Sequence, residues 1–184
     1  MTRRLLAVLL IGAASGCGPS LSEPAGVFSA YVNAYAEADS KTMWSLLSTS
    51  ARAENRRLQV ALIRALSHTD AAIRVHFQGL LGTTADELTK QNEEAFFEWA
   101  VGKILYRTRP RLAREYVQAL TVVRSEPEGA RLWVIYREPV GIEQRLPLVR
   151  EGSDWRVDEG LVPASALKEL EAPLAPSTGT SPTH

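Results

Sequence analysis

At Val117 the chain changes period, and that change constrains the fold more than any single motif. Between Ser22 and Tyr106 apolar residues recur three and four apart, as one buried helix face requires. Val27, Phe28, Tyr31, Val32 and Tyr35 form the first such stripe, and Leu58, Leu62 and Leu66 form another. Beyond Val117 come four short runs rich in β-branched and aromatic residues: Val117 to Ser125, Ala130 to Glu138, Ile142 to Arg150 and Asp154 to Asp158. Pro127-Glu128-Gly129, Pro139 with Gly141, and Glu151-Gly152-Ser153 punctuate them as hairpin turns. Helices followed by an antiparallel meander predict an α+β fold, with several N-terminal helices packed on a C-terminal four-stranded sheet.

Polar residues mark the helix boundaries. Ser20 or Ser22 can cap the first helix, with Pro24 in its first turn, and Asp39-Ser40 ends it and caps a second carrying Met43, Trp44 and Leu47. Ser48-Thr49-Ser50 precedes a third, about Ala51 to Leu66. Its Arg52, Arg56, Arg57 and Arg64 lie largely off the leucine stripe and predict a solvated face countered by Glu54 and other acids. His68-Thr69-Asp70 is a break after which Asp70 caps Ala71 to Leu80. A turn or one helical turn at Thr83 to Leu88 leads, from Thr89 or Asn92, to a helix over about Gln91 to Tyr106, and the arginine-rich stretch Arg107 to Arg114, with Pro110, predicts a loop into the sheet. In the second strand Arg131, Trp133, Ile135 and Arg137 share one face while Leu132, Val134 and Tyr136 share the other. Pro147 has no N–H, which predicts an edge strand or a bulge there. Val162 to Glu171, with Pro163 at its start, predicts a last short helix.

The N-terminal stretch is an address. Arg3 and Arg4 precede the apolar run Leu5 to Ala14, and small residues Ala14-Ser15-Gly16 stand before Cys17. The run is about half the roughly 20 residues that a membrane-spanning helix needs. Ordinary secretory cleavage would leave a free thiol near the new terminus. The spacing resembles a bacterial lipoprotein lipobox, with Ala14 where leucine is usual. The resemblance implies cleavage before Cys17, lipid on Cys17 as the link to the membrane, and a cell-envelope location. Gly18 stands where lipoproteins kept in the inner membrane often carry aspartate, so the outer membrane is favoured over the inner. The expected organisation is a signal peptide over 1–16, a tether over 17–21, one α+β domain over 22–171 and a disordered tail over 172–184.

Charge and cysteine count exclude several classes of function. Without Arg3 and Arg4, 19 basic residues face 21 acidic ones, so nucleic acid binding has no electrostatic support. A single cysteine permits no intramolecular disulfide and no thiolate zinc site. His68 and His76 are eight apart and His184 lies in the tail, which gives no metal-ligand spacing, and no cofactor motif occurs.

Three stretches carry a resemblance to the NTF2-like superfamily: the helix end Tyr35-Ala36-Glu37-Ala38-Asp39, with Ala38 where glycine is usual; Trp44-Ser45-Leu46-Leu47-Ser48; and the terminal Gly152-Ser153-Asp154-Trp155-Arg156-Val157-Asp158. That resemblance implies a curved sheet wrapped around helices to make a cone whose interior takes small apolar molecules. It also implies a strand after the second helix, whereas Ala51 to Tyr106 is almost wholly helical in pattern. Tyr31, Tyr35, Trp44, Phe96, Trp99, Trp133 and Trp155 are the candidate pocket lining, though aromatic stripes at such spacing ordinarily fill a core. Some members of the superfamily move protons with a carboxylate or histidine and a tyrosine. The candidates here are Tyr31, Tyr35, His68, Asp70, His76 and Asp158, none of them in a reactive constellation, so no catalytic residue is assigned. The sequence thus predicts a non-enzymatic envelope lipoprotein that binds a small apolar ligand, a peptide or an envelope protein. The alternative is a tethered isomerase or hydrolase using a pocket carboxylate or histidine.

Overall fold

A computed structural model describes residues 20–106 and 114–172. The expected signal peptide, Cys17, residues 107–113 of the loop expected over Arg107 to Arg114, and residues 173–184 of the expected tail lie outside those residues, and Arg114 itself opens a helix. The fold is α+β, with eight α-helices and one open four-stranded antiparallel sheet among the described residues. The helices are α1 (Pro24–Glu37), α2 (Ser40–Leu46), α3 (Thr49–Leu66), α4 (Ala71–Leu81), α5 (Ala85–Thr89), α6 (Glu93–Ala100), α7 (Arg114–Gln118) and α8 (Ala164–Glu171). A π-helical turn, Val101–Leu105, prolongs α6. None of the described helices is long and apolar enough to cross a membrane.

Local capping explains where these helices start. Asp39, Ser48, Asp70, Thr84 and Asn92 each accept a backbone N–H of the helix that follows, replacing partners that the first turn lacks. Thr84 and Glu87 form a reciprocal capping box, and the Glu87 carboxylate also accepts from the Thr83 hydroxyl at 2.9 Å. The α1 C-cap is Ala38 at φ 58° and ψ 30°, a left-handed conformation that strains any residue with a Cβ.

The sheet runs β1 (Thr121–Glu128), β2 (Arg131–Arg137), β3 (Glu143–Glu151) and β4 (Asp154–Val157), paired in sequence order. Its core-side face carries Val134, Tyr136, Leu146, Leu148 and Val157, which meet Val27, Phe28, Met43, Leu47, Leu58, Leu62, Phe96 and Phe97 from the helices. The outer edge of β4 is covered, since Trp155 N donates to Leu21 O at 2.8 Å and Ser48 N donates to Val157 O at 2.8 Å. Leu47 also forms an isolated parallel bridge to Val157. Hence the segment between α2 and α3 holds a single bridge residue, and Leu21 already packs on the core.

Two expectations change. The strand predicted from Val117 starts instead at Thr121, because Arg114–Gln118 is helical and Val117 buries its side chain from that helix. Pro147 lies neither on an edge strand nor at a bulge, since β3 pairs with both β2 and β4. Its missing N–H faces the place where β4 runs out, and its carbonyl accepts Asp158 N there at 2.9 Å. The bulge falls instead at Val123 in β1. On α3, Arg56 pairs with Glu93 and Arg57 makes a two-pronged pair with Glu171, while Arg52 donates to Trp44 O.

Two measurements probe these features. Ala38→Gly removes the strain at the α1 end and should raise stability by about 0.5–1 kcal/mol, read as a higher urea midpoint at unchanged slope. The Thr84 and Thr83 hydrogen bonds hold the Glu87 pKa below its ordinary 4.5. A depressed folded pKa stabilises above the unfolded value, so this contribution is lost as pH falls below about 4.5. Glu87→Gln should therefore lower Tm at pH 7 and have less effect at pH 3.

Candidate functional site

A cavity of about 490 Å³ opens between α1 and the core-side face of the sheet. Phe28, Tyr31, Val32 and Tyr35 line it from α1, at the three- and four-residue spacing that puts one helix face along the wall. Leu105, Tyr116 and Leu120 come from the π-helical turn and α7. Tyr136, Glu138, Gln144, Arg145 and Leu146 come from β2, β3 and the turn between them, and Glu159, Gly160 and Leu161 from the connection to α8. Tyr136 and Gln144 are cross-strand partners, so alternation sends both toward the helices. The volume lies within the roughly 300–1,000 Å³ of small-molecule sites.

The walls are held by contacts distant in sequence. The Phe28 and Tyr136 rings lie 4.9 Å apart, joining α1 to the sheet. Tyr106 Oη donates to Tyr35 O at 2.5 Å, tying the end of the π-helical turn to α1. Leu161 N donates to Asn55 Oδ1 at 3.0 Å, fixing the connection to α8 against α3. Burial and a hydrogen bond to the Glu138 carboxylate, in that order, push the Tyr116 hydroxyl pKa up. The phenol therefore stays protonated and donates to Glu138. The cavity thus combines aromatic walls, hydroxyls and two half-buried carboxylates, Glu138 and Glu159.

The aromatic residues singled out in the sequence are distributed over several sites. Tyr31 and Tyr35 line the cavity. Trp44 packs on Phe97 at 5.3 Å between ring centroids, under the Arg52 guanidinium, and Phe96 is buried against Trp99 at 5.7 Å. Trp155 packs on the core from β4. Trp133 is on the outer face of the sheet, where its Nε1 donates to Glu128 and Arg145 stacks over its ring at 4.3 Å. Strand alternation already set Trp133 opposite Tyr136, and it is Tyr136 that faces the cavity.

The acid–base candidates also separate. His68 Nδ1 accepts Asp70 N at 3.1 Å, Asp70 caps α4, and His76 stands exposed with its ring edge to Phe77. None of the three lines the cavity. Asp158 is buried and fully engaged: Ser48 Oγ donates to one carboxylate oxygen and Arg131 Nε to the other, both at 2.7 Å. It joins the α3 cap to β2 and holds the start of the connection that presents Glu159, which is a positioning role. Tyr116, Glu138, Gln144 and Glu159 were not marked by any sequence motif. The alternation of β2 pointed to Tyr136 alone.

If Asp158 is structural, Asp158→Ala should cost about 1–3 kcal/mol in urea unfolding by leaving the buried Ser48 hydroxyl and the exposed Arg131 guanidinium without their shared partner. Ser48→Ala should cost about 1 kcal/mol through the lost cap. A change below about 0.5 kcal/mol for Asp158→Ala would contradict that role.

No family model, curated protein or solved structure matches the chain.

Proposed function

We propose that the chain is an envelope lipoprotein, anchored through lipid on Cys17 and favouring the outer membrane, whose NTF2-like domain binds a small, largely apolar ligand without transforming it. The observation that carries this reading is the cavity of about 490 Å³, walled by aromatic residues from both α1 and β2. The cone-like arrangement is supported by the four-stranded meander, the single bridge at Leu47 and the packing of α1 on Tyr136. The anchor is supported by Arg3, Arg4, the apolar run Leu5 to Ala14 and the small residues before the lone cysteine. Two or three acyl chains, at about 0.8 kcal/mol per buried CH2, would make such attachment effectively permanent.

A second reading, a tethered isomerase or hydrolase, is favoured by one feature: Glu138 and Tyr116 form a carboxylate–phenol pair in the wall. A carboxylate that accepts a substrate proton and a phenol that supplies one are the parts such proton transfer needs.

Two measurements test the leading reading. Mass spectrometry of the mature protein should find acyl chains on Cys17, and Cys17→Ser should move the protein from the membrane to the soluble fraction; firm attachment of the variant overturns the anchor. The neutral probe N-phenyl-1-naphthylamine should bind saturably, and Val32→Trp, which fills the cavity from α1, should abolish binding at unchanged Tm. Absence of a saturable signal, or binding indifferent to Val32→Trp, overturns the cavity as the site.

A further inference from the structure

We infer that the β3–β4 end of the domain is its membrane-facing surface, seated among lipid headgroups, so that the cavity is carried away from the bilayer and exchanges its ligand with water. This rests on the reading of Cys17 as the lipid attachment. Only Gly18 and Pro19 separate Cys17 from Ser20, and three peptide units span at most about 11 Å. From Ser20 onward the chain is fixed to the domain. Ser20 O lies so close to α1 that a Cβ added at Gly26 would stand 2.2 Å from it, an approach that glycine alone permits. Leu21 O accepts Trp155 N at 2.8 Å, and the Leu21 side chain packs on the core. The link between lipid and folded domain is therefore short, and it ends beside the turn that joins β3 to β4.

Both the sheet and α1 run away from that end. Trp155 pairs with Arg150, whereas the cavity residues Tyr136 and Gln144 pair with each other farther back along β3, about 20 Å away at roughly 3.3 Å per residue. α1 begins at Pro24, next to the fixed segment, and its cavity residues Tyr31 and Tyr35 lie about 10 Å and about 16 Å along it at roughly 1.5 Å per residue. Exposed residues at the anchored end are hydroxyls and charges of both signs: Ser20, Ser22, Glu23, Arg150, Glu151 and Ser153. Such groups suit a layer of phosphates and ammonium groups, and none has to enter hydrocarbon. The large apolar side chains exposed on the sheet and its turns, Val122, Val123, Val140 and Ile142, lie at the opposite end. Pressing that end into the bilayer would carry the neighbouring carboxylates of Glu138 and Glu143 toward hydrocarbon, at a desolvation cost.

The test uses the full-length protein with acylated Cys17, reconstituted into vesicles of phosphatidylethanolamine and phosphatidylglycerol in which part of the lipid carries a nitroxide on its headgroup. Lipid occupies the thiol of the chain's only cysteine, so a bimane fluorophore goes to one introduced thiol at a time, at Ser153→Cys in the β3–β4 turn or Val140→Cys in the β2–β3 turn. The nitroxide should quench the label at position 153 at least about threefold more than the label at position 140. A flexible Gly/Ser insertion of about twelve residues between Pro19 and Ser20, with an end-to-end reach of roughly 20 Å, should bring the two values within about 1.5-fold of each other. Equal quenching of the two labels, or stronger quenching at 140, overturns the inference while leaving the anchor in place; the second result would make the apolar tip the docking surface. A contrast that survives the insertion overturns the short link as its cause. An unmodified Cys17, with neither label quenched, overturns the anchor and the inference with it.

Discussion

A buried carboxylate holds the two halves of this protein together. Asp158 receives the Ser48 hydroxyl on one oxygen and the Arg131 guanidinium on the other, so one residue ties the start of α3, the beginning of β2 and the end of β4. Withdrawing a charge from water costs several kcal/mol unless both oxygens are satisfied, so the three elements meet in one arrangement or lose that stabilisation. Ser48 acts twice, because its hydroxyl also accepts Ala51 N at 3.0 Å and caps α3. The backbone bond from Ser48 N to Val157 O completes the junction.

The cavity follows from what this junction leaves uncovered. Met43, Leu47, Leu58, Phe96 and Phe97 fill the space where α2, α3 and α6 reach the core. Farther along β2, toward Tyr136, the described residues that face the sheet come from α1, the π-helical turn, the short α7 and the connection after β4, and they wall the cavity. Phe28 against Tyr136 marks the boundary between packed core and cavity.

Much of the secondary structure was legible because its causes are local. Asp39, Ser48, Asp70 and Asn92 announce helix starts within three residues of where they act, and the turn glycines Gly129, Gly141 and Gly152 sit at positive φ between strands. Where a residue's local preference competed with tertiary packing, the sequence misled. Val117 has strand propensity but buries itself from a helix, and Pro147 is tolerated inside the sheet because β4 ends beside it. The cavity was the least legible feature. Tyr116, Glu138 and Glu159 come from three separate elements, and no periodicity within one element records a meeting of three. Tyr31 and Tyr35 stood on a visible stripe; the void beside them depended on distant strands.

The sheet has one sealed margin and one open one, and that asymmetry bears on how copies of this protein behave when crowded. Leu21, Leu47 and Ser48 occupy the β4 side, whereas every residue of β1 is exposed. An exposed strand margin invites a second chain to add on. Here the bulge at Val123 breaks the hydrogen-bonding rhythm, Pro127 withholds a donor, and Arg124, Glu126 and Glu128 place charge along the rim. Copies brought together at high concentration thus meet a strand margin interrupted by its own covalent structure, in the strand that contributes least to the core.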